Sequence, residues 1–414
     1  MAAWVKIAMR NLLKNKRRSI VTMVAIMLGF SAVNLFAGFT AYMYRANKEG
    51  SIYTGLQGHL TIFRKGFFEK ERESPVKLLL DSHEIESIQE ICKNMKEVVI
   101  VTPQLRLSGL ISDGKVSTIF VAQGYVPSIQ KIYTSKTSLK LMEPFDGNPM
   151  EDDRPEGIGV SRGLARFLNL KVSSEAVVMA TTAEGQMNAL DVTIFQLFDA
   201  PSVAMNDRLI RIPFSYTQKL YDTEGAHMMS VLLEKTEDTE RIRQKLNNEF
   251  KRKEMDLEIK TWNELSEWYT KVKDMFDLIF LFLFIIVFII VTMSVINTMS
   301  MTVLERIREI GTLRALGLKR RGVLMLFSIE SCLLGIGGII TGAALSVLGW
   351  GCVQVFNPTW IPPGVSVRVP LQIEFSWEFF GVSGVFLIIL CLVASLVPAK
   401  RAAYLNVVEA LGHV

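Results

Sequence analysis

Hydrophobic and polar positions divide this chain into two kinds of sequence. Four stretches stay apolar over at least the roughly 20 residues that a membrane-crossing helix needs. Ser19–Tyr44, Leu278–Leu304 and Phe379–Ala399 carry no formal charge, and Val323–Phe356 carries only Glu330. They predict transmembrane helices over 19–44, 275–304, 323–356 and 379–399. The stretch between the first two, 45–274, is patterned differently. Apolar and polar residues alternate over Gly58–Arg64, Val98–Leu107 and Ser117–Gly124, the period of a half-buried strand, and Asp113-Gly114 reads as the hairpin turn between the last two. Ile85, Ile88, Ile91, Cys92 and Met95 recur at helical spacing, as do Ile242, Leu246 and Phe250 between strands at Met228–Leu233 and Leu257–Lys260. From about 155 to 215 short strands dominate, with one short helix in Gly159–Leu170 that is expected to bury Leu164, Phe167 and Leu168. The expected fold is an α-helical membrane domain of four transmembrane helices plus an α+β extracytoplasmic domain with two subdomains, one α+β and one mostly β.

Charge orients the spans. Lys6, Arg10, Lys14, Lys16, Arg17 and Arg18 precede the first, and Arg306, Arg308, Arg314, Lys319, Arg320 and Arg321 crowd the loop between the second and third. Lys400 and Arg401 follow the fourth, whereas the loop between the third and fourth holds only Arg368. Basic residues stay on the cytoplasmic side. Segments 1–18, 305–322 and 400–414 are therefore expected inside, and the 45–274 domain and the 357–378 loop outside. The first apolar stretch is too long for a signal-peptide core, so it reads as a retained anchor. Ahead of it, Trp4, Ile7, Ala8 and Leu12 share one helical face. A helix lying in the inner-leaflet interface and a helical extension of the first span both fit.

Composition narrows the chemistry. Hydrophobic residues make up 50% of the chain and charged ones 21%, with a net charge of +5. No basic block interleaved with aromatics occurs outside the membrane flanks, which argues against nucleic acid. Cys92 is the only cysteine of the soluble stretch, so that domain cannot form an internal disulfide, and no Cys/His spacing resembles a zinc site. Asp191, Asp199 and Asp207 fit no ligand motif and read as solvated turn residues. No P-loop of the form G-x-x-x-x-G-K-[ST] is present, so no catalytic residue and no metal ligand is assigned.

The most informative run follows the second span: Glu305-Arg306-Ile307-Arg308-Glu309-Ile310-Gly311-Thr312-Leu313-Arg314-Ala315-Leu316-Gly317. It resembles the E-R-x-x-E-I-G-x-L-R-A-x-G signature of the MacB/FtsX-type permeases of ABC transporters. Ala8-Met9-Arg10-Asn11-Leu12 resembles that family's opening. Glu330 to Gly335 resembles its third-span pattern, Pro398 to Ala403 its terminus, and Val408 to Leu411 its ending. Gly159–Lys171 resembles the G-x-x-L-A-x-x-L-x-L-K segment of its periplasmic domain; the family then turns on Gly-Asp, where this chain has Ser173-Ser174, leaving that turn open. In layout the chain is most similar to the lipoprotein-releasing (LolC/LolE-like) permeases.

The resemblance implies a non-catalytic permease in the bacterial inner (plasma) membrane. It would pair with a second copy or a sister permease and bind two copies of a cytoplasmic ABC ATPase. ATP and Mg would sit on that ATPase and none on this chain. It further implies mechanotransmission, the extrusion or release of a hydrophobic or lipidated substrate at the periplasmic side. A lipoprotein handed to a periplasmic chaperone is the leading substrate. The ATPase-coupling residues would be Glu305, Arg306, Arg308, Glu309, Ile310, Gly311, Leu313, Arg314, Ala315 and Gly317, with Ile307, Ile310 and Leu313 seating the helix on a partner or on the membrane. The alternative is a regulatory transmembrane scaffold controlling a cell-wall hydrolase.

Polar groups inside the spans are few. Glu330 is costly in a membrane unless paired; a salt bridge to Arg314, Lys319, Arg320 or Arg321 is expected, with a proton or substrate contact as the alternative. Asn34, Ser294, Asn297 and Ser300 either bond between helices or line a cavity. Gly338 and Gly342 form a G-x-x-x-G pair that fits packing within the subunit as well as dimerisation.

Overall fold

The computed structural model of the chain describes residues 2–70, 78–137, 145–200, 202–361 and 368–404. The Val408–Leu411 ending lies outside them. The chain opens with α1 (Ala2–Lys14) and α2 (Lys16–Glu49), followed by a π-helical turn at Gly50–Thr54. Next come β1 (Leu60–Arg64), α3 (Phe67–Lys70), α4 (Ser82–Lys93), β2 (Val98–Ser112), β3 (Ser117–Tyr125), α5 (Ile129–Lys136), β4 (Asp146–Gly147) and β5 (Gly157–Ser161). After them stand α6 (Arg162–Phe167), β6 (Glu175–Thr181), β7 (Met187–Phe198), α7 (Val203–Asn206), β8 (Leu209–Pro213), α8 (Phe214–Tyr221), β9 (Met228–Leu233), α9 (Thr239–Arg252), β10 (Leu257–Thr261) and α10 (Trp262–Leu265). The rest is α11 (Glu267–Glu305), α12 (Ile307–Ala315), α13 (Arg320–Phe356), β11 (Thr359–Trp360), β12 (Val369–Pro370) and α14 (Trp377–Ala403).

These elements form two compact units, a membrane unit of 1–43, 272–358 and 371–414, and an α/β unit of 44–271 and 359–370. Among the described residues, four helices are long and apolar enough to cross a membrane: Lys16–Thr54, Glu267–Glu305, Arg320–Phe356 and Trp377–Ala403. In the membrane unit, Ile26 and Phe30 of α2 meet Val291, Val295 and Met299 of α11, Phe327 and Leu334 of α13, and Leu387 and Cys391 of α14. Glycines allow the close approach of α13. A Cβ at Gly338 would stand 2.6 Å from Ile26 Cβ, and one at Gly342 would stand 2.9 Å from the Met27 carbonyl oxygen, so the G-x-x-x-G pair seats α2 of the same chain. Gly335 faces Cys391 of α14.

Near the first residues, α1 stops at Lys14 and α2 starts at Lys16. Of the face expected to hold Trp4, Ile7, Ala8 and Leu12, Trp4 and Leu12 are partly buried and Ala8 fully so, whereas Ile7 is 46% exposed beside exposed Val5, Met9 and Leu13.

The α/β unit is organised by one long strand. Residues 98–104 of β2 pair with β9, while 105–112 pair with β3 and 109–112 also with β6. The first half belongs to the open sheet β10-β1-β9-β2. Alternate residues of that sheet, among them Leu60, Ile62, Met229 and Val231, bury against Ile88 and Ile91 of α4 and Ile242, Leu246 and Phe250 of α9. A capping box starts α4, with Asp81 accepting from the Glu84 amide at 2.8 Å and Glu84 accepting from the Asp81 amide at 3.0 Å. The second half of β2 belongs to a ring. β2, β3, β8, β5, β7 and β6 pair in succession, and β6 returns to β2. Closure into a barrel leaves no edge among these six strands. Its core holds Leu107, Ile111, Phe120, Ile158, Val160, Val178, Ile194 and Ile210, and α8 packs against β2, β3, β6, β7 and β8. The two expected subdomains thus share a strand.

Three local expectations change or resolve. Phe167, expected inside, is 66% exposed. The helix ends at that residue, and Leu168 and Leu170 in the following turn take the buried positions. Asp191 lies on β7 rather than in a turn, and Asp199 pairs with Arg162. The Ser173-Ser174 turn forms with Ser173 in the left-handed region at φ 67°, its amide donating to the Ile194 carbonyl at 2.7 Å.

Candidate functional site

The run from 305 to 317 folds into a bend and a short helix. α11 ends at Glu305, Arg306 leaves helical geometry at φ −117°, ψ 18°, and α12 follows. Gly317 closes it in the left-handed region at φ 100°, its amide donating to the Arg314 carbonyl at 3.1 Å while Leu318 donates to the Leu313 carbonyl at 3.0 Å. That closing geometry favours glycine.

The apolar residues of α12 divide into two faces. Ile307 and Ile310 are 9% and 3% exposed, Gly311 is buried beside them, and Ile310 belongs to the core of the membrane unit with Val303, Val323 and Phe327. Ile307 and Ile310, expected to seat the helix on a partner or on the membrane, root α12 in its own chain. Leu313 is 41% and Leu316 81% exposed. Arg308, Glu309 and Ala315 share that open side, and Arg308 has no side-chain partner among the described residues. Arg314 is half-buried and lines a shallow hollow of about 570 Å³ with Gly317, Leu318, Lys319, Arg320 and Arg321.

A polar network fixes the bend. Arg306 donates to Glu309 at 2.8 Å and to Glu330 of α13 at 3.0 Å. Glu330, 1% exposed, also accepts from Asn11 Nδ2 of α1. Lys14 reaches Glu309 at 3.5 Å, while Arg18 and Asn15 both donate to Glu305. The hydrogen bond from Arg306 holds the Glu309 carboxyl below the usual carboxylate range, with Lys14 adding to it. Glu330 is paired, as a membrane carboxylate must be, but its partners are Arg306 and Asn11 rather than Arg314, Lys319, Arg320 or Arg321. The reason is directional. Arg314 lies in α12 and Lys319–Arg321 lie at the N-terminal end of α13, whereas Arg306 at the bend bonds Glu330. Arg320 instead lies over the Tyr404 ring, 4.3 Å from its centroid.

Of the intramembrane polar residues, Asn34 is 4% exposed, donates to the Phe30 carbonyl at 2.8 Å and accepts from Ser383 of α14 at 3.2 Å. Ser294 donates to Thr22 at 3.4 Å, and Thr22 bonds Thr298. Asn297 is exposed and is not brought to the others. Asn11, Lys14, Asn15, Arg18 and Thr22 were not singled out as polar partners by sequence reasoning. Their partners lie hundreds of positions away, so no local spacing carried the signal. In the same unit, Ala32, Leu35, Phe36, Phe39, Leu283, Leu371 and Ile373 line an apolar cleft of about 400 Å³. No group of three or more His, Cys, Asp or Glu residues able to hold a metal occurs among the described residues.

Comparison with known proteins bears on the same segment. Residues 280–407 match the FtsX-like permease C-terminal family. An uncharacterized ABC transporter permease of Methanocaldococcus jannaschii is 26% identical over 209 residues, 50% of this chain and 51% of that one. The lipoprotein-releasing system transmembrane protein LolC of Xylella fastidiosa is 28% identical over 29% of this chain and 31% of its own. The macrolide export ATP-binding/permease protein MacB of Chlorobium luteolum is 34% identical over 29% of this chain and 16% of its own. The chain thus spans about half the length of the first of these relatives and a third or less of the other two. The periplasmic region of MacB from Actinobacillus actinomycetemcomitans aligns with a TM-score of 0.37 at 11% identity, covering 52% of this chain and 93% of that one. The matched region runs from within α11 through α12, α13 and α14 and includes the whole bend with its Glu330 anchor, and over residues 280–407 the chain is similar to the FtsX-like permeases.

Proposed function

We propose that this chain is the permease subunit of an ABC transporter, a non-catalytic part that couples ATP hydrolysis by a separate ATPase to extrusion or release of a hydrophobic or lipidated substrate on the far side of the membrane. The observation that carries the reading is the division of α12, with Ile307 and Ile310 rooted in the membrane unit while Leu313, Leu316, Arg308 and Glu309 stay open. An element rooted on one side and open on the other passes force from a docked partner to the helices it is rooted in. A helix docking by an apolar contact with flanking charges is a recurrent recognition mode. On this reading Glu305, Arg306, Arg308, Glu309, Ile310, Gly311, Leu313, Arg314, Ala315 and Gly317 form the coupling segment. The basic flanks support a cytoplasmic position for it, with both termini on the same side and the α/β unit outside. ATP and Mg belong to the ATPase, which binds in two copies to a pair made of this chain and a second copy or sister permease.

A lipoprotein is the substrate we favour. The apolar cleft beside Phe36 and Phe39 is chemically suited to acyl chains, and LolC is a lipoprotein-releasing protein by name. Lifting an acylated protein from a bilayer opposes about 0.8 kcal/mol per buried methylene, which calls for an energy source. The test is gentle affinity purification of the chain from native membranes with mass spectrometry of what is bound. An ABC ATPase in stoichiometric amount, with acylated proteins enriched, is the expected result. An ATPase with a cell-wall hydrolase instead would move the reading to a regulatory scaffold. No ATPase, under conditions that preserve other membrane complexes, would remove both.

A further inference from the structure

The barrel carries a buried polar row on the face turned away from its core. Gln123 of β3, Arg211 of β8, Gly159 of β5 and Gln196 of β7 stand in register across four neighbouring strands. Ile158 and Val160 beside Gly159, and Ile210 beside Arg211, fill the core behind them, as strand alternation requires, and a register shift between β5 and β7 lets Ile194 face the core as well. Arg211 is 7% and Gln196 1% exposed.

Gly159 separates the two and has no side chain. A Cβ there would stand 2.9 Å from Gln196 Nε2 and 3.3 Å from the Phe198 ring, so the carboxamide and the ring close over the strand. The Arg211 guanidinium lies against that same ring, 4.3 Å from its centroid.

Among the described residues, Arg211 and Gln196 of this row lack hydrogen-bond partners. Arg211 Nε, Gln196 Nε2 and Oε1, and Ser161 Oγ two residues along β5 are all buried without a hydrogen-bond partner. No ion pair or hydrogen bond is made by the Arg211 side chain among the described residues. Tyr125, its one electrostatic neighbour, hydrogen-bonds Gln130 instead. Gln123, the other polar residue of the row, donates to the Gly55 carbonyl at 3.0 Å.

An unpaired buried charge is costly, and the face of one aromatic ring offsets only part of that cost. Native folds close such a deficit with water, an ion or a ligand. A planar guanidinium has the geometry for the two oxygens of a carboxylate, and an amide N–H beside it adds a further donor. We propose that this face of the barrel is a carboxylate-binding site, with Arg211 as the charge-bearing residue and Gln196 Nε2 and Ser161 Oγ as neutral donors. A free carboxylate and the carboxylate of a peptide share that chemistry.

The experiment uses the full chain in lipid nanodiscs. Sodium formate replaces sodium chloride at constant ionic strength, and thermal unfolding and calorimetric binding are followed. Formate is expected to raise the unfolding temperature saturably. Arg211→Met is expected to fold, to melt in chloride no lower than the wild type, and to weaken formate binding at least about tenfold, or 1.4 kcal/mol. Gln196→Leu is expected to weaken it less. Calorimetry on the wild type does not depend on either variant folding. N-acetylalanine and its amide separate the sources: response to formate alone identifies a small-anion site, and response to N-acetylalanine but not to its amide identifies a peptide carboxylate. Indistinguishable formate and chloride curves in the wild type, or an equal formate response in Arg211→Met, would overturn the proposal.

Discussion

Arg306 donates to Glu330 across 3.0 Å, joining the bend between α11 and α12 to a buried position of α13. Glu330 is 1% exposed and the Arg306 side chain 13%, so the pair is shielded from water. Removing one partner of such a pair leaves an uncompensated charge and costs about 3–5 kcal/mol, whereas replacing both with apolar groups is far less harmful. Arg306→Ala should therefore lower the unfolding temperature in detergent strongly. Glu330→Gln, which keeps an oxygen for Asn11, should lower it less, and the Arg306→Met/Glu330→Met double variant should recover part of the loss. Additive losses in the double variant would show that the two residues are not coupled.

The glycines of α13 give a second prediction inside the membrane unit. The position of Gly338 is filled by Ile26 and the Met23 backbone. A leucine there must push α2 away, and overpacking of this kind costs about 1–3 kcal/mol. Gly338→Leu should destabilise the isolated subunit. Gly351, where an added Cβ would meet nothing within 4 Å among the described residues, should accept leucine with little change. Loss of subunit pairing by Gly338→Leu without loss of subunit stability would instead place this glycine at an interface between chains.

How much of this was legible in the sequence depended on the range of the signal. The spans stood out because an uncharged apolar run of about 20 residues matches the thickness of a bilayer core and exceeds what a soluble helix ordinarily buries. The open sheet was legible because β9, α9 and β10 follow one another in sequence. Barrel closure was not, since it rests on β6 returning to Leu110 and Ile111, a pairing set by tertiary contacts. The partners of Glu330 were sought in the adjacent loop, yet Asn11 is 319 positions away. Ile307 and Ile310 were read as facing a partner or the membrane, because amphipathicity tells which face is apolar and not what covers it.

Ser173 holds a left-handed conformation that favours glycine, and its side chain is exposed. For a residue with a Cβ that conformation costs on the order of 1 kcal/mol. Ser173→Gly should raise the stability of the α/β unit, read as a higher urea midpoint for the full chain. A lower midpoint would mean that the entropy glycine adds to the unfolded chain outweighs the strain relieved.

The open side of α12 separates docking from folding. Leu316 is 81% exposed, so Leu316→Glu should leave the unfolding temperature within about 0.5 kcal/mol of wild type in ΔG while reducing ATPase recovery on purification. Glu309→Lys should also reduce recovery, but it places a cation beside Arg306 and Lys14 and should cost stability as well. Full ATPase recovery by Leu316→Glu would exclude this face as the docking surface.

Acid should act on the α/β unit through two histidines. His59 and His227 are 0% and 3% exposed. Each accepts a backbone N–H at Nδ1, from Leu233 at 3.0 Å and from Arg106 at 3.1 Å. A proton on Nδ1 would face that donor, and burial already disfavours the charged ring, lowering both pKa values to about 4. The unfolded chain takes up these protons near pH 6.5, before the folded one does. Their contribution is therefore complete above about pH 6.5, declines as pH falls toward 4 and is exhausted below that. The slope approaches about 1.4 kcal/mol per pH unit for each histidine. Urea midpoints at pH 7, 6 and 5 should fall accordingly. His59→Asn/His227→Asn, with an amide oxygen to accept the same N–H, should flatten the decline. Equal midpoints at pH 7 and 5 in the wild type, or an unchanged slope in the double variant, would show that the acid response lies in other groups.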